Sequence, residues 1–262
     1  MRIGNKKAEN KNAVMSVNES RRTPFAVVEA YKTIRTNLTF LLASYDTKVF
    51  GITSPEAGDG KSTTAINMAI AFSQLGDKVL LIDADMRRST VHKKLKIENN
   101  GGLSEILAGF CKYEEVLNHI SETLDVITAG QVPPNPSELL GSARFKELVD
   151  AVGKKYSYVI LDTPPVDVVA DALVIAPQPA GLVLVVKDQI TTKDVIKHTV
   201  EAAKFAGINI LGAVMNGANP KSSKRYGYRK YYKKGYGYGY GYGYGSQPSK
   251  KFEAKTESSQ QQ

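Results

Sequence analysis

Gly58-Asp59-Gly60-Lys61-Ser62 carries the most specific chemistry in this sequence. Glycines let successive backbone N–H groups turn toward one anion, and a lysine beside them can neutralise phosphate oxygens. The adjacent serine hydroxyl is a hard oxygen ligand suited to Mg2+. The segment follows the strand-like run Val49-Phe50-Gly51-Ile52-Thr53 and opens a helix-like run from Ser62 to Leu75, closed by Gly76. That context makes a phosphate loop credible, with Gly58, Asp59, Gly60, Lys61, Ser62 and Thr63 as the candidate nucleotide-binding residues. One position departs from the general pattern: Pro55 stands where a glycine is expected five residues before Gly60. The alternative is a glycine-rich turn before an ordinary helix.

Three carboxylates strengthen the first reading. Asp83 and Asp85 follow the apolar run Val79-Leu80-Leu81-Ile82, and Asp162 follows Val159-Ile160-Leu161. In an open α/β sheet, ligands bind at the carboxyl ends of the strands, where these groups would converge with the loop. Ser62, Asp83 and Asp162 are the candidate metal ligands, since a divalent ion beside phosphates wants hard oxygens. Each Asp could instead cap a strand-to-helix turn, and Asp85 could orient Arg87. Three such caps around one phosphate loop are a less economical explanation.

The elements that must position these groups alternate between strand and helix. Further strands are expected at Leu124–Thr128, Tyr158–Leu161, Leu182–Val186 and Ile208–Met215, and helices at Arg144–Val152, Val168–Ile175 and Thr192–Phe205. Continuous apolar strands separated by amphipathic helices predict an α/β fold of the P-loop NTPase type. Its sheet is expected to be mostly parallel, with helices on both faces. Pro133-Pro134-Asn135-Pro136 reads as a rigid loop, and Thr23-Pro24 as an N-cap with proline in the first helical turn. The body is expected to span 23–216, after a disordered basic arm over 1–22 and before a disordered basic tail over 217–262.

Charge separates the body from its ends. The chain has 262 residues and a net charge of +9. From Gly217 onward ten Lys/Arg face only Glu253 and Glu257, and the first 23 residues hold six Lys/Arg against Glu9 and Glu19. The body between them is therefore mildly acidic, so no basic folded face is available for nucleic acid, and none is expected as a partner. Basic ends suit an anionic surface such as membrane lipid. Cys111 is the single cysteine, and His92, His119 and His198 lack ligand spacing, which excludes a disulfide framework and a cysteine zinc site. No secretory signal or apolar run of membrane-spanning length is present, so a cytoplasmic location is expected.

Nine of fourteen tyrosines fall within the C-terminal segment: Tyr226, Tyr228, Tyr231, Tyr232, Tyr236, Tyr238, Tyr240, Tyr242 and Tyr244. Alternating glycines remove stiffness and neighbours for the rings to pack against, so the phenols are expected in solvent on a tether.

Gly58–Ser62, Leu80-Leu81-Ile82-Asp83-Ala84-Asp85-Met86-Arg87 and Val159-Ile160-Leu161-Asp162-Thr163-Pro164-Pro165 together resemble the Walker A, A′ and B motifs of the bacterial tyrosine kinases. The likeness is to the cytoplasmic kinase type of Gram-positive capsule and exopolysaccharide operons. It covers nearly the whole chain from Pro24, and the tyrosine-rich end completes it. Ala57-Gly58-Asp59-Gly60-Lys61-Ser62 stands where the family often has Pro-Gly-Glu-Gly-Lys-Ser. Related partitioning and septum-positioning ATPases (ParA/MinD-like) carry a second lysine early in the loop. Glu56 occupies that place here and argues against them. The family's oligomerisation motif, Glu-x-x-Arg-x-x-Arg, reads Glu29-x-x-Lys32-x-x-Arg35. Lysine lacks the planar fork of arginine, and an alternative is a solvated helix face with an i,i+3 pair.

The resemblance implies ATP and Mg2+ as cofactors, with Lys61, Asp83, Asp85 and Asp162 as catalytic residues. Asp83 is the candidate to accept or orient the phenol proton, Asp85 assists at the metal, and Asn216 contacts adenine or merely closes the last strand. It further implies autophosphorylation of the nine tail tyrosines, in trans within a homo-oligomeric ring formed when unphosphorylated. A transmembrane adaptor of the polysaccharide co-polymerase type, a cognate tyrosine phosphatase and other protein substrates are the implied partners. The adaptor would recruit the kinase to the inner face of the membrane. Flexible chain of tail length spans very roughly 25 Å against a core radius of gyration of ~17 Å, so a neighbour's site is at least as reachable as its own. Each phosphotyrosine adds about −1.5 to −2 charge, enough for a few to cancel the basic tail. The rival readings are a P-loop ATPase that leaves tyrosine unmodified and an RNA-binding protein with a stacking tail. A eukaryotic-type kinase is excluded, because no His-Arg-Asp or Asp-Phe-Gly element occurs.

Overall fold

Three five-residue strands, β1 (Val49–Thr53), β2 (Val79–Asp83) and β5 (Tyr158–Asp162), have every residue buried. Such strands need helices on both sides, and the computed structural model, which describes residues 25–166 and 180–218, provides them. In chain order the remaining elements are α1 (Phe25–Leu41), α2 (Lys61–Ser73), α3 (Val91–Leu95), α4 (Leu103–Ala108), β3 (Asn118–His119), β4 (Leu124–Ile127), α5 (Pro136–Leu140), α6 (Ala143–Lys155), β6 (Leu182–Lys187), α7 (Lys193–Phe205) and β7 (Ile210–Asn216).

The seven strands are ordered β3-β4-β2-β5-β1-β6-β7. All neighbours run parallel except the two-residue edge strand β3. Successive side chains of a strand point to opposite faces, and the core divides accordingly. Val79, Leu81, Tyr158 and Ile160 join Leu38 of α1, Ile66 and Phe72 of α2, and Leu95 of α3. Leu80, Ile82, Val159 and Leu161 join Leu103 of α4, Leu140 of α5, and Phe145, Leu148 and Val149 of α6. On the first face the Phe72 ring lies 4.1 Å from that of Tyr158, centroid to centroid.

The predicted strands and helices that fall on described residues appear, with ends shifted by no more than three residues. Ser142 Oγ accepts from Phe145 N–H and Thr192 Oγ1 from Val195 N–H, so capping hydroxyls start α6 and α7. The proline-rich loop is shorter than expected, because Pro136 begins α5. A first-turn position needs no N–H donor, so proline is suited to it. The short helices α3, α4 and α5 and strand β3 carry too few periods of apolar pattern to be visible in the sequence. The expected helix Val168–Ile175, the Thr23-Pro24 cap, the arm over 1–22 and the tail from 219 onward lie outside the described residues.

Register brings the chemistry to one end of the sheet. Asp83 pairs with Asp162 across β2 and β5, Ile52 with Asp162 across β1 and β5, and Lys187 with Asn216 across β6 and β7. These are the carboxyl ends of parallel strands, the rim at which an open α/β sheet holds its ligands. Among the described residues no helix is long and apolar enough to cross a membrane.

Candidate functional site

The turn from β1 to α2 sets the geometry. Gly58 has φ 95° and Gly60 has φ 100°, left-handed conformations that a residue with a Cβ adopts only under strain. Gly60 is the N-cap of α2 and supplies no side-chain cap. The orphan N–H groups of the first helical turn therefore face the cavity at the positive end of the helix dipole.

Lys61 reaches across this turn into the carboxylates. Its Nζ lies 2.7 Å from Asp85 Oδ2, 3.4 Å from Ser62 Oγ and 3.5 Å from Asp162 Oδ1. Burial alone would lower the Lys61 pKa, but the nearby charges of Asp162, Asp85 and Asp83 and the hydrogen bond to Asp85 outweigh it and raise the pKa. Asp85 Oδ1 also accepts Arg88 N–H at 2.9 Å.

Asp83 and Asp162 lie beneath. Asp83 Oδ1 accepts Asp85 N–H and Oδ2 accepts Val91 N–H, each at 3.2 Å. Burial first, and the charge of Asp162 second, push the Asp83 carboxyl well above the usual carboxylate range. Asp162 is fully buried, and neither of its oxygens has a hydrogen-bond partner among the described residues. Burial raises its pKa too, against the attraction of Lys61.

A cavity of about 570 Å3 opens above these groups. Gly58, Gly60, Lys61, Ser62, Thr63, Asp85 and Asn216 line it, as do Pro164 and Pro165 after β5. Asp59, Asp83 and Asp162 do not reach the cavity surface. Arg87, Arg88, Lys94 and Lys187 surround it with positive charge, which suits a phosphate-bearing ligand. Of these only Arg87 was noticed in the sequence. Lys94 and Lys187 come from α3 and β6, whose nearness no spacing reveals.

Asn216 ends β7, and its Nδ2 donates to Asp59 O at 2.8 Å. A Cβ built on Gly60 would lie 2.0 Å from that Nδ2. The side chain therefore clasps the phosphate loop, a role the sequence did not suggest.

Glu29, Lys32 and Arg35 sit on α1, away from the cavity. Lys32 Nζ bonds Glu29 Oε1 at 2.8 Å, the exposed i,i+3 pair. Arg35 Nη1 donates to Ala71 O at 2.6 Å, tying α1 to the last turn of α2. The nine tail tyrosines lie outside the described residues.

Comparison with known proteins places this geometry among relatives. Residues 47–189 match a family model described as AAA domain. The chain is 43% identical over 201 residues to "Tyrosine-protein kinase YwqD" of Bacillus subtilis (strain 168), covering 76% of this chain and 85% of that protein. It is 33% identical over 226 residues to "Putative tyrosine-protein kinase CapB" of Staphylococcus aureus, covering 86% and 98%. "Tyrosine-protein kinase etk" of Escherichia coli (strain K12) is 37% identical, but the match spans 28% of its length. Among solved structures, the kinase domain of Escherichia coli ETK superposes with a TM-score of 0.72 at 36% identity, covering 81% of this chain and 80% of that one. The chimerical protein CapA2B2 superposes at 0.70 and 36% identity, covering 78% and 89%. The septum site-determining protein MinD of Pyrococcus horikoshii, at 0.56 and 23% identity, shares the fold.

Proposed function

The chain belongs to the bacterial tyrosine-protein kinases, and from that premise we propose that it transfers the γ-phosphoryl group of ATP to tyrosine hydroxyls, its own C-terminal cluster among them. The observation that carries this reading is Lys61 held between Asp85 and Asp162 at the head of α2, beside the cavity. In the transfer the phenol oxygen forms a bond to the γ-phosphorus, the bond to the ADP oxygen breaks, and the phenol proton passes to the Asp85 carboxylate, or through it to water. Such reactions are driven mainly by positioning and neutralisation of charge.

Each residue has a share in that work. The first-turn N–H groups of α2 bind the phosphates, and Lys61 neutralises their oxygens. Asp85, which faces the cavity, orients the acceptor phenol. Asp83 accepts the Asp85 backbone N–H and holds it in place, and burial raises its carboxyl pKa. Arg87, Arg88, Lys94 and Lys187 offset the remaining negative charge.

The residues fit Mg2+. The carboxylate of Asp162 is buried without a hydrogen bond among the described residues, a condition that water molecules of a hydrated cation would relieve. Ser62 and Asp162 would hold the ion with the phosphates, and Asp83 would act through its shell. Mg2+ beside a nucleotide is commonly bound through one or two protein groups and the phosphates of the substrate. When bound, the ion supplies charge neutralisation at the β- and γ-phosphate oxygens.

The names of the relatives support a biological setting. Regulation of capsule or exopolysaccharide synthesis is supported by the Staphylococcus aureus CapB likeness and by a putative kinase in a cps region of Klebsiella pneumoniae. A transmembrane adaptor of the polysaccharide co-polymerase type would bring the kinase to the inner face of the membrane. A ring formed through Glu29, Lys32 and Arg35, a phosphatase that resets the tail and further protein substrates complete the reading.

The test is incubation of the full chain with γ-labelled ATP and Mg2+, with and without the adaptor's cytoplasmic segment, and mapping of the label by mass spectrometry. Phosphotyrosine between Tyr226 and Tyr244, absent in Lys61→Met and strongly reduced in Asp162→Asn, is the expected result. Free phosphate with an unmodified tail would favour a partitioning-type ATPase instead.

A further inference from the structure

Asp59 poses a problem for the phosphate loop that contains it. It is only 2% exposed, and its negative charge lies inside a loop built to attract phosphate. Its carboxylate is therefore expected to have a specific partner, and the partner lies 132 positions further along the chain. Thr191, in the turn after β6, donates its Oγ1 hydrogen to Asp59 Oδ1 at 3.3 Å. The same Oγ1 accepts Lys187 N–H at 2.9 Å. Asp59 Oδ2 accepts Glu56 N–H at 3.2 Å, inside the loop.

The direction of this relay is determined by chemistry. A backbone N–H can only donate, so the Lys187 amide occupies a lone pair of the Thr191 hydroxyl. The single hydroxyl proton is left to point at an acceptor, and the nearest is the Asp59 carboxylate. Asp59 thus receives one hydrogen bond from the start of its own loop and one from the end of β6. Its carbonyl is held from β7 by Asn216. The backbone that must aim N–H groups at phosphate is braced from two neighbouring strands.

We propose that Thr191 is a positioning residue for nucleotide binding: its hydroxyl ties Asp59, and through it the phosphate loop, to the carboxyl end of β6. The inference rests on the reading of residues 58–63 as a nucleotide site. Thr191 is not among the residues lining the cavity, so its effect on the ligand passes through the loop.

The test uses the full-length protein and fluorescent methylanthraniloyl ADP and ATP, with and without Mg2+, beside thermal unfolding in the absence of nucleotide. Thr191→Val keeps the shape but can neither donate nor accept. It is expected to weaken nucleotide binding about tenfold, the scale of one hydrogen bond to a charged group, and to lower the unfolding midpoint by only a few degrees, leaving the protein folded in the binding assay. Thr191→Ser keeps the hydroxyl and is expected to bind within about twofold of wild type, a change below one ordinary hydrogen bond. Asp59→Asn can accept only one of the two hydrogen bonds and should weaken binding by itself. In the double variant Thr191→Val/Asp59→Asn the losses should not add, because both break one relay.

Wild-type affinity in Thr191→Val overturns the proposal, as does a serine variant no better than valine or full additivity in the double variant. If Thr191→Val melts early, Thr191→Ala takes its place under the same criteria. A wild-type protein that binds neither nucleotide overturns the reading of the loop itself, and the proposal with it. That result is distinguishable, because every variant would then be equally silent.

Discussion

Lys61 Nζ sits 2.7 Å from Asp85 Oδ2, and the two side chains are 10% and 5% exposed. With Asp162 Oδ1 at 3.5 Å, the lysine meant to meet phosphate is already the counter-ion of two buried carboxylates. The residue therefore has two functions, one in the ligand-free fold and one toward the nucleotide, and they can be separated.

Lys61→Met should remove phosphoryl transfer and also destabilise the ligand-free protein. Removing one partner of a buried ion pair leaves the other uncompensated, at a cost of about 3 kcal/mol. Urea unfolding without nucleotide measures this, and an unchanged midpoint would show that the pair adds nothing to the resting fold.

Asp162→Asn should behave in the opposite way. The raised pKa of Asp162 means that its charge is on balance disfavoured in the fold, burial outweighing the attraction of Lys61. The neutral amide should raise the unfolding midpoint of the ligand-free protein. Phosphotyrosine formation should fall about a hundredfold or more, the scale for loss of one preorganised electrostatic group. The sign with pH follows: a carboxyl with a raised folded pKa lowers stability increasingly as pH rises from the ordinary carboxylate range toward that pKa. Wild type should therefore gain on Asp162→Asn as pH falls from the raised folded pKa toward the ordinary carboxylate range. A lower midpoint in the variant at neutral pH refutes the argument.

Asn216→Ala distinguishes a base contact from a loop clasp. Loss of the hydrogen bond to Asp59 O should weaken ATP and GTP binding alike, by about fivefold, the scale of one neutral hydrogen bond. A loss confined to ATP would restore the adenine contact that the family resemblance implies. Competitive titration with both nucleotides measures it.

Tyr156 anchors the other end of the sheet. Its OH donates to Asp125 Oδ2 at 2.7 Å, and His119 Nδ1 lies 2.6 Å from the other Asp125 oxygen. Burial first, then the Asp125 hydrogen bond, raise the phenol pKa. Tyr156→Phe should cost about 2 kcal/mol, as for hydrogen bonds to charged groups. A raised folded pKa means that this stabilisation is complete below the unfolded phenol pKa of about 10 and is lost as pH rises beyond it. The gap between wild type and variant should therefore be constant at neutral pH and narrow in alkali; a gap that widens there contradicts the assignment.

Much of the site could be read from the sequence because its parts are local. Gly58 to Thr63 declare a phosphate loop by glycine spacing between a strand and a helix. Asp83, Asp85 and Asp162 declare themselves by following apolar runs. The positive rim, the Thr191 relay and the clasp by Asn216 were not legible, because each depends on which strands lie side by side. Lys187 and Asn216 are 29 positions apart in the chain yet paired across β6 and β7.

The sequence by itself determined the fold class, since strand-length apolar runs alternating with amphipathic helices are stable only as a covered parallel sheet. It also pointed to phosphate chemistry, since glycine, lysine, serine and aspartate at those places suit a nucleotide and its metal ion. The tertiary structure decided how these groups are occupied in the absence of ligand. Strand order put β5 between β1 and β2, placing Asp162 beside Asp83 and within reach of Lys61. Burial then raised the pKa of both carboxyls. Desolvation and pairing depend on distances set by packing across the sheet, and no spacing along one chain encodes them.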